Sequence, residues 1–376
     1  MENTLVARRF VRVKALQTLY AYTILQQAHK KDAIEQIEKD FKFDPFLHES
    51  NSKEQLAENK KLAVAFFCNE VELQTFSSLF TYGKNSTIER SVRNSLVYYR
   101  QTLLQNQALL QAGFTQSKEY IYADYLSILL LLVEWYKLST STLITHHSTL
   151  NNVLATHPLL KELYTNNNWL SSINHKCVSW VQEQDRVEHW YAQLIQSVEI
   201  PQDLLHVDKS VKLLEYIIQN IIFKNEQLKD FFSMKDLYWD EHKRIVKKML
   251  LQTFTLLDVK DFAGFSLFWR EIEARWLEEA RFYDRLLKIT VKNSSAYEGI
   301  IGQKAEKWDS ERIVLIDKLI IKLALAEMLE FEEIPLKVSM NEYIEIAKLY
   351  GTPKSGNFVN GVLEGIFKGL QVDIRS

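Results

Sequence analysis

The chain has 376 residues, of which 47% are apolar and 25% are charged, and this composition is normal for a soluble globular protein. Its ten glycines and five prolines are few for the length, which favours an all-α fold of long helices with few tight turns. The formal net charge of -2 gives no overall basic field, and the two isolated cysteines, Cys68 and Cys177, suggest neither a disulfide framework nor a zinc site.

The first residues of the chain are basic, although the chain as a whole is not. Residues 1–31 contain six Lys and Arg against the single acid Glu2. The spacing of apolar residues predicts one helix over residues 5–28, in which Arg8 and Arg12 share a stripe and Arg9 lies beside them. Such a cluster is most often a solvated face, but the forked donors of arginine also suit phosphates and base edges.

Neither a secretory leader nor a membrane span is expected. The first ten residues contain no apolar core of a signal peptide, and the longest strongly apolar run, residues 128–133, is far too short to cross a bilayer. The sequence therefore predicts a cytoplasmic protein without a membrane partner.

The middle of the chain alternates amphipathic stretches with short polar breaks. Its tryptophans are expected to fill contacts between helices, and its histidines have no companion ligands at metal spacing. The predicted helices cover residues 51–82, 87–112, 120–138, 211–232 and 240–257.

A helical pattern resumes over residues 261–297, and Trp308-Asp309-Ser310 predicts the start of a further helix that ends near Phe331. Asp317 lies in the middle of the apolar stripe of that helix, where a carboxylate needs a partner. The partner is either a group within the chain or a contact at a protein interface, since Lys318 and Lys322 point away on the helical wheel.

The last forty residues carry the densest pattern. Ser339 followed by Glu342 predicts a capping box, and Gly351 predicts the end of that helix. The next helix opens with residues 357–361, Asn-Phe-Val-Asn-Gly, which helix propensity does not favour. Phe358 projects about 100° from the apolar stripe of this helix and is not expected in the core. Three glycines at four-residue spacing, Gly361, Gly365 and Gly369, predict a close approach by another helix.

Both ends of the chain resemble the NusB antitermination family. Residues 8–20 look like its arginine-rich first helix, and about residues 276–370 look like the rest of its compact domain. The resemblance implies a NusB-like helical bundle with a large helical insertion after the first helix. The bundle would comprise residues 1–30 and 258–376, and residues 31–257 would be the insertion. A similar extended middle occurs in long NusB-like proteins of Bacteroidetes-type bacteria.

The resemblance also implies a function. Members of the family bind the boxA element of ribosomal RNA leader transcripts together with NusE, a small-subunit ribosomal protein, in the RNA polymerase antitermination complex. The residues that match RNA-binding positions are Arg8, Arg9, Arg12, Lys14, Phe358 and Asn360. Those that match the NusE interface are Tyr20 and Asp317. At the start of its helix Phe358 would stack a base, whereas Asn360 either contacts RNA or braces the packing of the helix.

No pattern typical of an enzyme accompanies this resemblance. The sequence has no Gly-rich phosphate loop, nucleophile elbow, paired Cys/His spacing or Rossmann fingerprint, so neither catalysis nor a cofactor or metal is expected. The alternative function is a helical protein-interaction scaffold with a NusB-like fold and little RNA binding. The arginines of the first helix together with Phe358 favour the RNA-binding function.

Overall fold

The computed structural model describes residues 8–44, 52–73, 86–141, 148–206, 210–257, 264–304 and 314–373. These ranges are predominantly helical and contain no strand, which confirms the all-α class. The α-helices are α1 (Arg8–Asp40), α2 (Ser52–Leu73), α3 (Ser86–Thr140), α4 (Thr149–Ala155), α5 (Pro158–Thr165), α6 (Asn167–His175), α7 (Gln184–Ser197), α8 (Ser210–Tyr216), α9 (Glu226–Lys235), α10 (Trp239–Leu257), α11 (Gly264–Lys292), α12 (Ser294–Lys304), α13 (Leu315–Glu330), α14 (Leu336–Tyr350) and α15 (Ser355–Asp373).

The chain forms two compact units, each built from two segments. Unit 1 comprises Met1–Val11 and Phe114–Tyr283, and unit 2 comprises Arg12–Gly113 and Asp284–Ser376. Helices α1, α3 and α11 each contribute residues to both units. The predicted division into a NusB-like domain and an insertion over residues 31–257 uses other boundaries and stays a prediction.

Helix α1 is longer than the sequence pattern predicts, because it continues past residue 28 to Asp40. Its second half buries Ala33 and Ile37, and Phe41 follows directly after the helix with 4% of its surface exposed. These side chains belong to one apolar cluster with Phe67 of α2 and Tyr99 of α3. Burial against two other helices therefore stabilises this part of α1, where the local pattern is weak.

The predicted break between residues 112 and 120 is wrong, since α3 is one helix of 55 residues that runs through Gly113. A glycine inside a helix costs about 1 kcal/mol relative to alanine. Phe114, the next residue, is 3% exposed and stacks on Trp276 and Tyr283, with ring centroids 5.0 Å and 4.5 Å apart. Packing of this ring outweighs the poor propensity of the glycine.

The single helix predicted over residues 211–232 is interrupted. Helix α8 passes into a π-helical turn, Ile217–Ile221, and a 3-10 turn, Ile222–Lys224. Asn225 then accepts a hydrogen bond from the backbone N–H of Leu228 at 3.0 Å and so caps the start of α9. The start predicted for the helix near Trp308 lies outside the described residues, and that helix is described from Leu315.

Aromatic side chains fill the core of unit 1, as the sequence predicts for the tryptophans. Trp180 stacks on Phe231 with ring centroids 5.0 Å apart, and Phe232 stacks on Trp239 at 4.6 Å. These rings come from α9, α10 and the segment before α7, so they join two consecutive helices to a segment that is distant from them in sequence.

Unit 1 also contains a buried group of neighbouring titratable side chains, Asp124, Asp236 and His242. His242 Nδ1 lies 2.5 Å from Asp236 Oδ2, and the two side chains are 0% and 2% exposed. Asp124 of α3 lies beside Asp236, and burial together with the neighbouring carboxylate raises the pKa of Asp124 to about 8. Asp124 is therefore protonated in the folded chain at neutral pH, whereas it is ionised in the unfolded chain.

We predict that Asp124→Asn removes a pH dependence of stability. Between pH values of about 4 and about 8 the folded state holds a proton that the unfolded state has released, so the free energy of unfolding falls as pH rises. One proton corresponds to a slope of about 1.4 kcal/mol per pH unit. Urea unfolding of both proteins at several pH values should show a shallower slope for the variant, and equal slopes would contradict the prediction.

Candidate nucleic-acid interface

Five of the residues predicted to bind RNA or a partner lie on α1, and the first two belong to unit 1. The Arg8 side chain is 48% exposed, its Nε is 3.8 Å from Glu279 Oε1, and its guanidinium lies 5.4 Å from the centre of the Phe282 ring. Arg9 is half-buried. The guanidinium of Arg8 is therefore accessible to a ligand while its pairing with Glu279 is loose.

Arg12 lies within unit 2 and has a different environment. It is 3% exposed, and its Nε and Nη2 donate hydrogen bonds to Oε2 and Oε1 of Glu327 at 2.8 Å and 2.7 Å. This two-pronged geometry is the strongest form of an arginine–carboxylate pair. The pair joins α1 to α13, and the two residues are 315 positions apart in sequence.

Glu327 is the centre of a larger buried network. It is 0% exposed, and besides Arg12 it accepts hydrogen bonds from Ser339 Oγ at 2.6 Å and from Tyr343 OH at 3.0 Å. Burial and the charge of Glu327 raise the pKa of Tyr343 well above its ordinary value, so its phenol remains a donor. Four donors from α1 and α14 thus compensate the desolvation of one carboxylate.

The predicted capping box at Ser339 and Glu342 is wrong. Helix α14 begins at Leu336 after Pro335, so Ser339 lies inside the helix and donates to Glu327 instead of to its own backbone. Glu342 Oε2 lies 3.6 Å from Arg12 Nη1. Both polar residues serve contacts between helices, because proline already provides the helix start with a suitable φ angle.

The remaining predicted residues of α1 differ in exposure. Lys14 is 5% exposed, whereas Tyr20 is 42% exposed. Ile24, one turn after Tyr20 on the same helix face, is 41% exposed. Tyr20 and Ile24 therefore form an accessible apolar strip on α1.

Asp317 of α13 has an internal partner. It is 4% exposed and accepts a hydrogen bond from Ser355 Oγ at 2.9 Å, while the same Oγ accepts one from the backbone N–H of Thr352 at 2.8 Å. Burial raises the pKa of Asp317, and the hydrogen bond from Ser355 opposes that shift. Lys322 points elsewhere, as the helical wheel predicts, and donates to Ser294 Oγ at 2.7 Å and Glu298 Oε1 at 2.5 Å.

The turn before α15 holds Ser355 in place. Gly351 ends α14, as the sequence predicts, and its N–H donates to the carbonyl of Ala347 at 2.9 Å. A Cβ at Gly351 would collide with the side chain of Ser355 and would lie 2.7 Å from the Ala347 carbonyl oxygen. A glycine is therefore required where α14, α15 and Asp317 come together.

Helix α15 places its two predicted RNA contacts differently. Asn360 is exposed, but Phe358 is only 8% exposed, so the expectation that Phe358 lies outside the core is wrong. Val359 and Val362 are buried as well, which makes the buried face of α15 wider than one stripe. The expected close approach at Gly365 is also wrong, because a Cβ there would meet no atom within 4 Å.

The structure thus separates the predicted RNA contacts into two groups. Arg8 and Asn360 are exposed and Arg9 is half-buried, whereas the buried group consists of Arg12, Lys14 and Phe358. An RNA contact by the buried group would require those side chains to leave their packing. Their role in RNA binding stays a prediction, as does that of Asp317 at a partner interface.

Sequence patterns did not single out Glu327, Tyr343 or the function of Ser339. One signal was available, because Glu327 follows a nearly continuous apolar run in α13. A carboxylate in a stretch of helix that is buried on all sides requires hydrogen-bond donors or a cationic partner. The sequence could not identify that partner as Arg12, since the contact spans 315 positions.

The part of the chain that matches a known protein family includes α13 and α14, which contain Asp317, Glu327 and Tyr343. The model of the NusB family matches residues 266–368, which cover most of α11, all of α12 to α14 and most of α15. The transcription antitermination protein NusB of Salinibacter ruber (strain DSM 13855 / M31) is 45% identical over 89 residues, which are 24% of this chain and 56% of that protein.

A second relative extends the match. The transcription antitermination protein NusB of Syntrophus aciditrophicus (strain SB) is 33% identical over 128 residues, 33% of this chain and 79% of that protein. The chain belongs to the NusB family. The protein of the same name from Chloroherpeton thalassium (strain ATCC 35110 / GB-78) is 40% identical over 90 residues, 24% of this chain and 43% of that protein. No solved structure matches the chain.

The coverage of these NusB relatives is uneven. The match spans about half of the Salinibacter protein and less than half of the Chloroherpeton protein, and it leaves about two thirds or more of the present chain unmatched. Within the ranges that the structure describes, none of the helices is long and apolar enough to cross a membrane.

We predict that Arg12→Ala destabilises the fold strongly. The substitution leaves the carboxylate of Glu327 buried without its cationic partner, which typically costs about 3–5 kcal/mol. Arg8→Ala is the matched control, since an exposed ion pair contributes about 0–1 kcal/mol. Chemical unfolding of both variants provides the measurement.

A double variant tests the pair itself. Arg12→Ala with Glu327→Ala removes both charges, so its loss should be clearly smaller than the sum of the two single losses. Additive losses would mean that the two side chains do not interact in solution.

Proposed function

We propose that this chain is a transcription antitermination factor of ribosomal RNA operons that binds boxA-like single-stranded RNA together with NusE. It acts in the cytoplasm as part of the RNA polymerase antitermination complex. Membership of the NusB family and the similarity to three transcription antitermination proteins support the antitermination role. The same membership supports a role without catalysis.

The observation that carries the RNA-binding part of the proposal is the accessible guanidinium of Arg8 beside Arg9 at the start of α1. Guanidinium groups bind phosphates with paired hydrogen bonds, and a pairing at 3.8 Å with Glu279 is readily exchanged for a phosphate. In unit 2, Asn360 supplies a separate exposed amide that can read a base edge. The pairing of Arg12 with Glu327 fixes α1 within unit 2.

The scaffold function remains the second candidate, and one observation favours it. Three of the six predicted RNA contacts, Arg12, Lys14 and Phe358, are buried in the folded chain. A scaffold with little RNA binding would need these residues only for packing. RNA titrations distinguish the two functions directly.

We predict that Arg8→Ala with Arg9→Ala weakens binding to boxA-like RNA and leaves thermal unfolding nearly unchanged. Each lost phosphate contact on a single strand lowers the salt dependence of log K by about 0.7, so the double variant should lose about 1.4. The control is Arg90→Ala with Arg93→Ala, which removes the same charge from α3. Equal salt dependence for the parent and the first variant would favour the scaffold function.

For the NusE interface we propose that the strip of Tyr20 and Ile24 makes the direct contact. Asp317 then influences this interface indirectly from the protein interior, because it accepts a hydrogen bond from Ser355 and so orients the start of α15. This division explains how a buried carboxylate and an exposed tyrosine can both influence one partner.

We predict that Tyr20→Ala lowers NusE affinity by about 1–3 kcal/mol, since exposed aromatic side chains often dominate interfaces. Tyr120→Ala is the matched control, because Tyr120 is 38% exposed on α3. Calorimetric titration of each variant with NusE gives the affinity. If Tyr20→Ala and Tyr120→Ala bind NusE equally well, the partner does not use this strip.

A further inference from the structure

A cleft with a cationic rim lies in unit 2 between the end of α1 and the start of α2. Its volume is about 550 Å³, within the range of ligand-binding clefts. It belongs to the segment for which the family comparison gives no function, since the family model begins at residue 266. The residues that line it are Glu35, Glu38, Lys39, Phe41, Lys42, Phe43, Lys53, Leu56, Ala57 and Lys60.

The charges of this lysine cleft do not cancel. Both of its carboxylates have a cationic neighbour, because Glu38 lies 3.5 Å from Lys60 and Glu35 lies 4.0 Å from Lys31. The other three lysines, Lys39, Lys42 and Lys53, are exposed. In the part of the chain that the structure describes, no carboxylate forms an ion pair with these three lysines. The lining therefore has four lysines against two carboxylates, on a chain whose net charge is -2.

The floor of the lysine cleft is apolar. Phe41 is 4% exposed and anchors the cleft to the apolar cluster of α1, α2 and α3, while Phe43 and Leu56 are half-buried and partly accessible. A cationic rim over an aromatic and aliphatic floor matches single-stranded nucleic acid, in which phosphates alternate with flat bases. Flexible lysines without fixed polar groups favour binding that does not depend on sequence.

We infer that the lysine cleft binds the phosphate backbone of single-stranded RNA and extends the RNA footprint along α1. This inference rests on the proposed function, because it assigns a second contact to the same transcript. Helix α1 has 33 residues, which corresponds to a length of about 50 Å. A stacked strand that rises about 3.4 Å per nucleotide covers this length with about 15 nucleotides.

The test compares two RNA probes and two triple variants of the full chain. One probe is a boxA-like RNA of about eight nucleotides, too short to cover α1, and the other is a uridine homopolymer of about 40 nucleotides. The cleft variant is Lys39→Gln, Lys42→Gln and Lys53→Gln. The control variant, Lys161→Gln, Lys229→Gln and Lys243→Gln, removes the same charge from unit 1.

The cleft variant should bind the long RNA several-fold more weakly, with a salt dependence of log K that is shallower by about 2 for three lost phosphate contacts. Its affinity for the short RNA and its thermal unfolding should equal those of the parent. The control variant should behave as the parent with both probes. Unchanged affinity of the cleft variant for the long RNA would overturn the inference, and so would an equal loss for both probes.

The same measurements separate this inference from the proposed function. The proposed function fails if the parent binds the short boxA-like RNA no better than a scrambled RNA of the same length. RNA binding at the lysine cleft is tested with the uridine homopolymer, which contains no boxA-like sequence. A several-fold loss of homopolymer binding in the cleft variant supports RNA binding at the lysine cleft, even if the parent shows no preference for the boxA-like RNA.

Discussion

The buried pair of Arg12 and Glu327 is the constraint on which unit 2 depends. A carboxylate removed from water costs several kcal/mol unless its lone pairs are satisfied, and here Arg12, Ser339 and Tyr343 all donate to Glu327. Helices α1, α13 and α14 must therefore meet at one relative position. Apolar packing alone would allow these helices to slide, whereas a four-donor network does not.

Because of this constraint, the arginines at the basic start of α1 differ in their contacts. Arg12 is committed to Glu327, while Arg8, one turn earlier, keeps an accessible guanidinium with a loose carboxylate neighbour. Residues of the same type in the same cluster thus differ in environment, since one is buried in an ion pair and the other is accessible to solvent. The far end of α1 carries a second group of cations at the lysine cleft. Helix α1 thus carries accessible cations near both ends and buried contacts between them.

The sequence was sufficient for the fold class, the end of α14 at Gly351 and the need of Asp317 for a partner. These features follow from local composition and helical spacing. The sequence was insufficient where tertiary contacts override the structural preferences of the local residues. Gly113 lies inside α3 because Phe114 is stacked, and Ser339 faces Glu327 because Pro335 already starts its helix. Phe358 is buried because the packed face of α15 is wider than the apolar stripe that a helical wheel predicts.

The separation of 315 positions between Arg12 and Glu327 has a consequence for biosynthesis. Ribosomes add about 5–20 residues per second, so Arg12 is added to the chain between about 16 and about 63 seconds before Glu327. Until then, Glu327 is not available to Arg12. The network that joins α1, α13 and α14 can therefore form only after α13 and α14 have been translated.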